Sequence, residues 1–486
     1  MKFSRIWGNQ LLLDNQSGVN YDAIVIGSGI SGLTISIILA KEGKKVALFE
    51  RDKDIAPLIR PYQREGCGCS PGLHISGWMA QGDVIDSFFR YLNVTDGVEK
   101  GLVEKGLGRV IIGTNQYHIP NGFDNVEKSF LSYFPESAEA IHQYIRQVRK
   151  VNEESFYLNH QMAPNIKNIH ELMSSDSYTL QEYLKQYNAP QELIDILGTL
   201  NNILVGSTAD EIPFKVHALV LGGFYRSLGF FTIHGINRFL ANSKRELTRL
   251  GVDLYLNSEI AEILIDNKQA MGVKTVKGDS YFASTVIASF NPKLLNSQVK
   301  CDMLRPIYRR RLEEAENTFG FYVAFYKIKL DQEFEDFTYF DRNSGTILGV
   351  TFNHSGDNKV LSAMLADYDQ GFPINSEGKK GRAEEKLRLL ENLLYDKMPI
   401  LKGKAVLIDY LKPWSFERYT KTVNGSAYGI KQTYNTMGFQ HRTPIHGLYL
   451  VGQAIYPGFL GSMISSFALA CEFFDVNEFW PRVINQ

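Results

Sequence analysis

The apolar positions change period several times along the chain, and each change predicts an element. DAIVIG (22–27) is an unbroken apolar run of strand type. A glycine-rich turn follows. LTISIILAKEG (33–43) then carries apolar residues at helical spacing up to Gly43, a glycine stop. KKVALFE (44–50) predicts a second strand ending on an acid, and residues 51–80, rich in Pro, Gly and Cys, predict loop. From about 83 to 230 helical spacing dominates, in DVIDSFFRYLNV, SAEAIHQYIRQVRKVNEESFYLNHQM, SYTLQEYLKQY and PQELIDILGTLNNIL. Short strands are expected at RVIIG (109–113) and QYHIP (116–120). INRFLANSKRELTRLG (236–251) predicts a helix, and residues 252–289 alternate in strand fashion with turns at Asp266-Asn267 and Gly278-Asp279. Beyond it come a helix near 304–316, strands at 318–330 and 359–368, and a charged helix at 381–399. A strand and turn at 406–415 and a closing strand-turn-helix complete the pattern.

Composition narrows the class. A chain of 486 residues is too long for one simple core, so two or three lobes are expected. The 44% hydrophobic and 22% charged residues are the balance of a soluble globular protein. A formal net charge of -1 offers no excess of cation for nucleic acid. Cys67, Cys69, Cys301 and Cys471 are too few for a disulfide framework. The Cys67/Cys69 pair lacks C-x-x-C spacing and reads as buried or loop residues, and no metal ligand set is expected. The first 18 residues hold a three-residue apolar run, short of a secretory signal, so a cytoplasmic location is expected. Residues 23–40 and 447–471 are uncharged and long enough for membrane spans, but their central glycines favour buried strand, turn and buried helix.

Gly27-Ser28-Gly29-Ile30-Ser31-Gly32 is a G-x-G-x-x-G between the first predicted strand and helix, and Glu50 closes the second strand. Gly27 permits the tight turn, Gly29 lets backbone amides approach a pyrophosphate, and Gly32 lets helix and strand pack closely. The helix N-terminus offers unpaired N–H groups to phosphate, and Glu50 offers acceptors to the ribose hydroxyls. The acid disfavours a 2′-phosphate at this site. The element order then predicts an α/β fold. Its Rossmann-type dinucleotide domain is assembled from 20–80, 235–300 and 405–486. A mixed α+β substrate lobe is inserted, comprising a largely helical segment at 81–234 and strands and a helix at 301–404. NAD and FAD share the fingerprint, and no second strand-loop-helix has this glycine spacing. Gly447 to Gln453 and Pro457 to Ser462 form another strand, glycine turn and helix start, which meets a flavin or serves only as a packing unit.

Several pieces of the chain resemble the flavoprotein family of retinol saturase, carotenoid isomerase and phytoene desaturase. They are the glycine loop with Glu50, the stretch from Ala56-Pro57 through Arg60 to Gly72 and His74, PFKVHALVLGGFYRSLGFF (213–231), FERYTKTVNGSAYGIKQTY (416–434) and TPIHGLYLVGQAIYPGFLGSMISSFAL (443–469). The last two look closer to retinol saturase and its bacterial relatives than to desaturases. The resemblance implies FAD, an apolar tunnel, and saturation, desaturation or isomerisation of a long apolar polyene or isoprenoid lipid by hydride exchange at flavin N5. If a nicotinamide cofactor reduces the flavin, NAD(P)H would visit as a transient electron donor, since no second glycine motif offers it a domain. By position, Gly27, Ser28, Gly29, Ile30, Ser31, Gly32, Glu50 and Arg51 would hold the ADP half, with Ile260 near the adenine. Gly452, Gln453, Gly461, Ser462 and Met463 would lie at the flavin end. Ser70 stands where relatives often have Asp, and His234-Gly235 where they have Gly-Gly. Fold sharing leaves an FAD amine oxidase and a non-catalytic flavin-binding lipid carrier as rivals. Peripheral membrane contact of the substrate lobe and the oligomeric state stay open.

Three side chains are candidates for proton handling. His74 would donate a proton or orient substrate, or be a loop histidine bonded to backbone. His217, in an apolar run, reads more readily as a core histidine. Tyr428 would protonate a carbon, against a packed aromatic. Arg60 would neutralise flavin or phosphate charge, or form an ordinary surface ion pair. RRRLEE (309–314) reads as a solvated helix face.

Overall fold

The computed structural model describes residues 19–160, 178–300, 302–329, 337–341, 347–355, 358–369, 371–373, 375–433 and 439–485. The first 18 residues, Cys301 and the predicted helical end at 161–162 lie outside the described residues.

The apolar run at the start forms the strand Asn20–Ile26, buried throughout from Ala23 to Ile26. It pairs in parallel with Val46–Phe49 on one side and Ser280–Ala288 on the other. Asp253–Tyr255 extends the parallel sheet beyond Val46–Phe49, and Leu448–Leu450 extends it beyond Ser280–Ala288. Ile260–Asp266 and Gln269–Thr275 add an antiparallel pair at that same edge. Strands far apart in sequence thus build one doubly wound sheet, the Rossmann-type α/β fold expected from the element order. Both uncharged runs form strand, turn and helix: Ile30–Lys41 follows the first strand, and Gly458–Phe473 follows the last. No described helix is long and apolar enough to cross a membrane.

A second sheet runs in the order Ala405–Leu411, Gly320–Ile328, Asn358–Asp367, Ile347–Ser355, Phe337–Asp341, Gly108–Ile112, Asn115–Ile119. Every pair in it is antiparallel except Phe337–Asp341 with Gly108–Ile112. Helices Phe123–Tyr133, Ala138–Glu153, Leu180–Gln186, Gln191–Val205 and Phe214–Arg226 contribute to one apolar core beside it.

Three expected boundaries move. The strand Ala405–Leu411 belongs to the substrate sheet and not to the nucleotide domain, because its backbone pairs with Gly320–Ile328. The helix Val84–Tyr91 belongs to the nucleotide domain and not to the insertion, because Phe88 stacks on Phe467 with centroids 4.0 Å apart and packs against Trp480. The helix expected from 236 begins at Ile233, where the Thr232 side chain accepts from the Gly235 N–H at 2.9 Å. The two inserted segments form one lobe, since the strands at 108–119 complete the sheet made by the later insertion.

Candidate functional site

The turn after the first strand has the conformation its glycines allow. Gly27 sits at φ +93, the left-handed region that favours glycine. Its N–H donates to the Phe49 carbonyl at 2.8 Å, and Ser289 Oγ donates to the Gly27 carbonyl at 2.8 Å. A Cβ at Gly32 would fall 1.9 Å from the Gly27 oxygen, so helix and strand touch there. A Cβ at Gly29 would meet nothing within 4 Å. No side chain caps the helix that starts at Ile30, so its first amides keep their donors for a ligand.

Glu50 is buried and almost fully occupied. Its Oε2 accepts from Ser28 N at 2.9 Å and Ser28 Oγ at 2.6 Å, and its Oε1 accepts from Asp52 N at 2.8 Å. A carboxylate has about four acceptor positions, which leaves one for a ribose hydroxyl. Ser28 therefore orients the acid from beneath the loop.

The helix Gly458–Phe473 presents a second uncapped N-terminus to the same space. Ser466 Oγ donates to the Ser31 carbonyl at 2.9 Å and ties the two glycine-led helices together. Gly452, at φ +119, donates its N–H to Ser465 Oγ at 2.7 Å.

One cavity of about 670 Å³ joins these parts. Gly27, Gly29, Ile30, Ser31, Glu50, Arg51 and Ile260 line it around the first glycine loop, and Gly452, Gln453, Gly461 and Ser462 line it around the second. The substrate lobe's share of the wall is mostly apolar: Ile203, Val216, Leu219, Val220, Phe224 and Met364, with Thr351 among them. The wall's only carboxylates among the described residues are Glu50 and Glu259, both at the nucleotide end.

The catalytic candidates separate. His74 lines the cavity, its Nδ1 is buried without a partner, and burial pushes its pKa down to about 4. It is neutral at pH 7, which removes a charged imidazolium as the proton donor. Tyr428 also lines the cavity, but its hydroxyl donates to the Ile203 carbonyl at 2.6 Å. Its proton is therefore engaged by the protein, and burial raises its pKa. His217 is not on the wall. It lies on the other face of the wall helix, 2.8 Å from the Tyr144 hydroxyl, and burial lowers its pKa to about 3. Arg60 is turned away: it pairs with Asp52 and donates to the Ile55 carbonyl at 3.0 Å. Met463 is buried in the apolar core beneath the second helix. Of the nucleotide-end residues, Ser28 and Gly32 support the loop from below.

Sequence reasoning missed Ser289, which holds the loop carbonyls, and Tyr419 and Lys421, which line the nucleotide end. Ser289 carries no local signal, and the family-like stretch 416–434 contains Tyr419 and Lys421 without giving either a role. The wall residues Val216, Leu219, Val220 and Phe224 lie in the apolar run at 213–231, which did not reveal which of its positions face the cavity.

Comparison with known proteins agrees with the fold. A family model described as an NAD(P)-binding Rossmann-like domain matches residues 25–92. The chain is 21% identical to all-trans-retinol 13,14-reductase of Homo sapiens, over 92% of this chain and 85% of that protein. It is 23% identical to the chloroplastic prolycopene isomerase of Daucus carota, over 90% of this chain and 77% of that protein. The chain is thus similar along most of its length to proteins named as retinol reductases and carotenoid isomerases. It is also 22% identical, over 95% of this chain and 87% of that protein, to a Danio rerio protein named as an inactive all-trans-retinol 13,14-reductase, so likeness alone does not confer activity. Among solved structures, an oxidoreductase from Methanosarcina mazei shares the fold with TM-score 0.67, at 15% identity over 92% of this chain and 99% of that one. Cyclohexylamine oxidase from Brevibacterium oxydans does so with TM-score 0.61, at 17% identity over 94% and 99%.

Proposed function

We propose that the protein binds FAD and acts as an oxidoreductase on carbon–carbon double bonds of a long apolar polyene or isoprenoid lipid. The observation that carries this reading is the continuity of one cavity, from an open-faced Gly29 and a ribose-ready Glu50 to an apolar wall. The fit of the cofactor rests on two uncapped helix N-termini facing that space and on a glycine whose missing side chain leaves room for phosphate. Bound FAD supplies the redox chemistry, accepting or donating hydride.

The residues of this chain bind, orient and exclude water. Gly29, Ile30 and Ser31 present backbone to the diphosphate, and Glu50 takes a ribose hydroxyl. The wall helix Phe214–Arg226 supplies Val216, Leu219, Val220 and Phe224 to a substrate with little to hydrogen-bond. Neutral His74 offers a ring nitrogen that no protein group engages, suited to orienting a polarised double bond. The substrate end holds no carboxylate among the described residues, which disfavours a cationic amine and hence the amine oxidase reading.

The test is a set of anaerobic spectra of the FAD-loaded protein. Oxidation of photoreduced protein by an added polyene, with identification of the lipid that co-purifies, supports the reading. Bleaching by an amine with no response to any polyene overturns it in favour of amine oxidation. Bound flavin and bound lipid with no spectral change in either direction leave a carrier.

A further inference from the structure

We propose that Val276 and Tyr419 form a clamp for the adenine ring of the dinucleotide, one jaw from each lobe; the proposal rests on the FAD reading above. Both side chains line the cavity, and both are large apolar groups left open to solvent, 60% exposed at Val276 and 57% at Tyr419. Exposed apolar residues scattered singly need no explanation, but two that share the rim of one cavity call for a flat apolar ligand.

The backbone fixes where that rim lies. Ser258 N donates to the Glu50 carbonyl at 2.8 Å, and Val276 N donates to the Glu259 carbonyl at 2.9 Å. Val276 is therefore two hydrogen-bonded steps from the acid that takes the ribose. The other jaw is held to the same place by two ties. Arg51, directly after Glu50, donates through Nη2 to the Arg418 carbonyl at 3.0 Å. Lys421 Nζ meets the Glu259 carboxylate at 3.1 Å. Glu259 thus anchors both sides, Val276 by its carbonyl and the strap at 418–422 by its side chain.

The strap comes from outside the nucleotide domain. It is the C-terminal end of the helix Pro413–Thr420 and the turn after it, and that helix continues from the edge strand Ala405–Leu411 of the substrate sheet. At its end Lys421 takes φ +56, which turns the chain sharply after Tyr419. Arg418 stands over one side of the Tyr419 ring at 5.6 Å. A nucleobase stacks on an aromatic ring and slides against a branched aliphatic one without any demand for hydrogen bonds. An adenine beyond a ribose held at Glu50 meets this pair.

Binding of FAD and of ADP to the full-length apoprotein tests the clamp. Tyr419→Ala is expected to weaken both about tenfold, in line with the loss of one base–aromatic stack. Tyr419→Phe keeps the ring and is expected to bind as the parent does. Lys421→Ala frees the strap and is expected to weaken ADP by a few-fold. Because Tyr419 is exposed, its replacement leaves the melting temperature of the apoprotein unchanged. ADP and FAD affinities of Tyr419→Ala within twofold of the parent overturn the clamp. A parent protein that binds neither FAD nor ADP overturns the cofactor reading itself.

Discussion

A methyl group added at Gly29 meets nothing within 4 Å, whereas one added at Gly32 falls 1.9 Å from a carbonyl oxygen. The two glycines look alike in the motif and fail differently. Gly29→Val is expected to leave the apoprotein melting as the parent does and to abolish FAD binding, because its side chain takes the space of the diphosphate. Gly32→Val is expected to destabilise the fold by about 3 kcal/mol, since neither strand nor helix backbone can move aside. Thermal melts paired with FAD titrations separate the two; retained flavin in Gly29→Val counts against the placement of the phosphate loop. At this scale the sequence was informative where spacing decides, as in the loop and Glu50. It was silent where a side chain's direction decides. Arg60 and Met463 sit at matching positions, yet one faces Asp52 and the other the core. Ser289 and Tyr419 reach the site through pairings over 200 residues or more, which no local pattern encodes.

The wall helix Phe214–Arg226 divides two environments along its length. One face gives Val216, Leu219, Val220 and Phe224 to the cavity, and the other buries His217, Leu221 and Tyr225 in the lobe core. The apolar run around His217 was legible in the sequence, but not which of its two faces is open to the cavity. Val220→Trp places bulk into open space, not into a packed core, so the fold is expected to survive. Its flavin spectrum should match the parent while polyene binding falls at least tenfold; unchanged polyene binding would move the substrate path elsewhere. The buried face carries a pH dependence. An ordinary histidine titrates near 6.5, and burial lowers His217 to about 3 and His74 to about 4. A lowered folded value means the stabilisation is complete above pH 6.5 and is lost as pH falls toward these values. Each histidine adds a slope of about 1.4 kcal/mol per pH unit in that window. His217→Gln is therefore expected to flatten the fall of Tm between pH 6.5 and 4, and an unaltered slope would show that His217 is not the group responsible.

Whole-molecule architecture followed from element order to the extent that strands separated by hundreds of residues were assigned to one nucleotide domain. The lobe boundaries did not follow, because sheet membership is decided by pairing partners: Ala405–Leu411 reads as a strand in either domain, and only its neighbour Gly320–Ile328 settles which. The cavity inherits walls from both lobes, with Glu50 and Gly452 from one and Val216, Met364 and Tyr419 from the other. A ligand filling its nucleotide end therefore touches two separately cored units. Ligand present at 100 times its Kd stabilises the folded state by about 2.7 kcal/mol. For a chain of 486 residues the unfolding entropy is about 1 kcal/mol per kelvin, so FAD at that excess should raise Tm by about 3 °C. The distribution of the shift is the sharper observable. If Tyr419 closes on the adenine, calorimetry should show the transitions of both lobes moving together, and Tyr419→Ala should leave the substrate-lobe transition behind while the nucleotide domain still responds. A shift confined to one transition in the parent protein would mean that the cofactor contacts a single lobe, and the strap at 418–422 would then have no part in holding it.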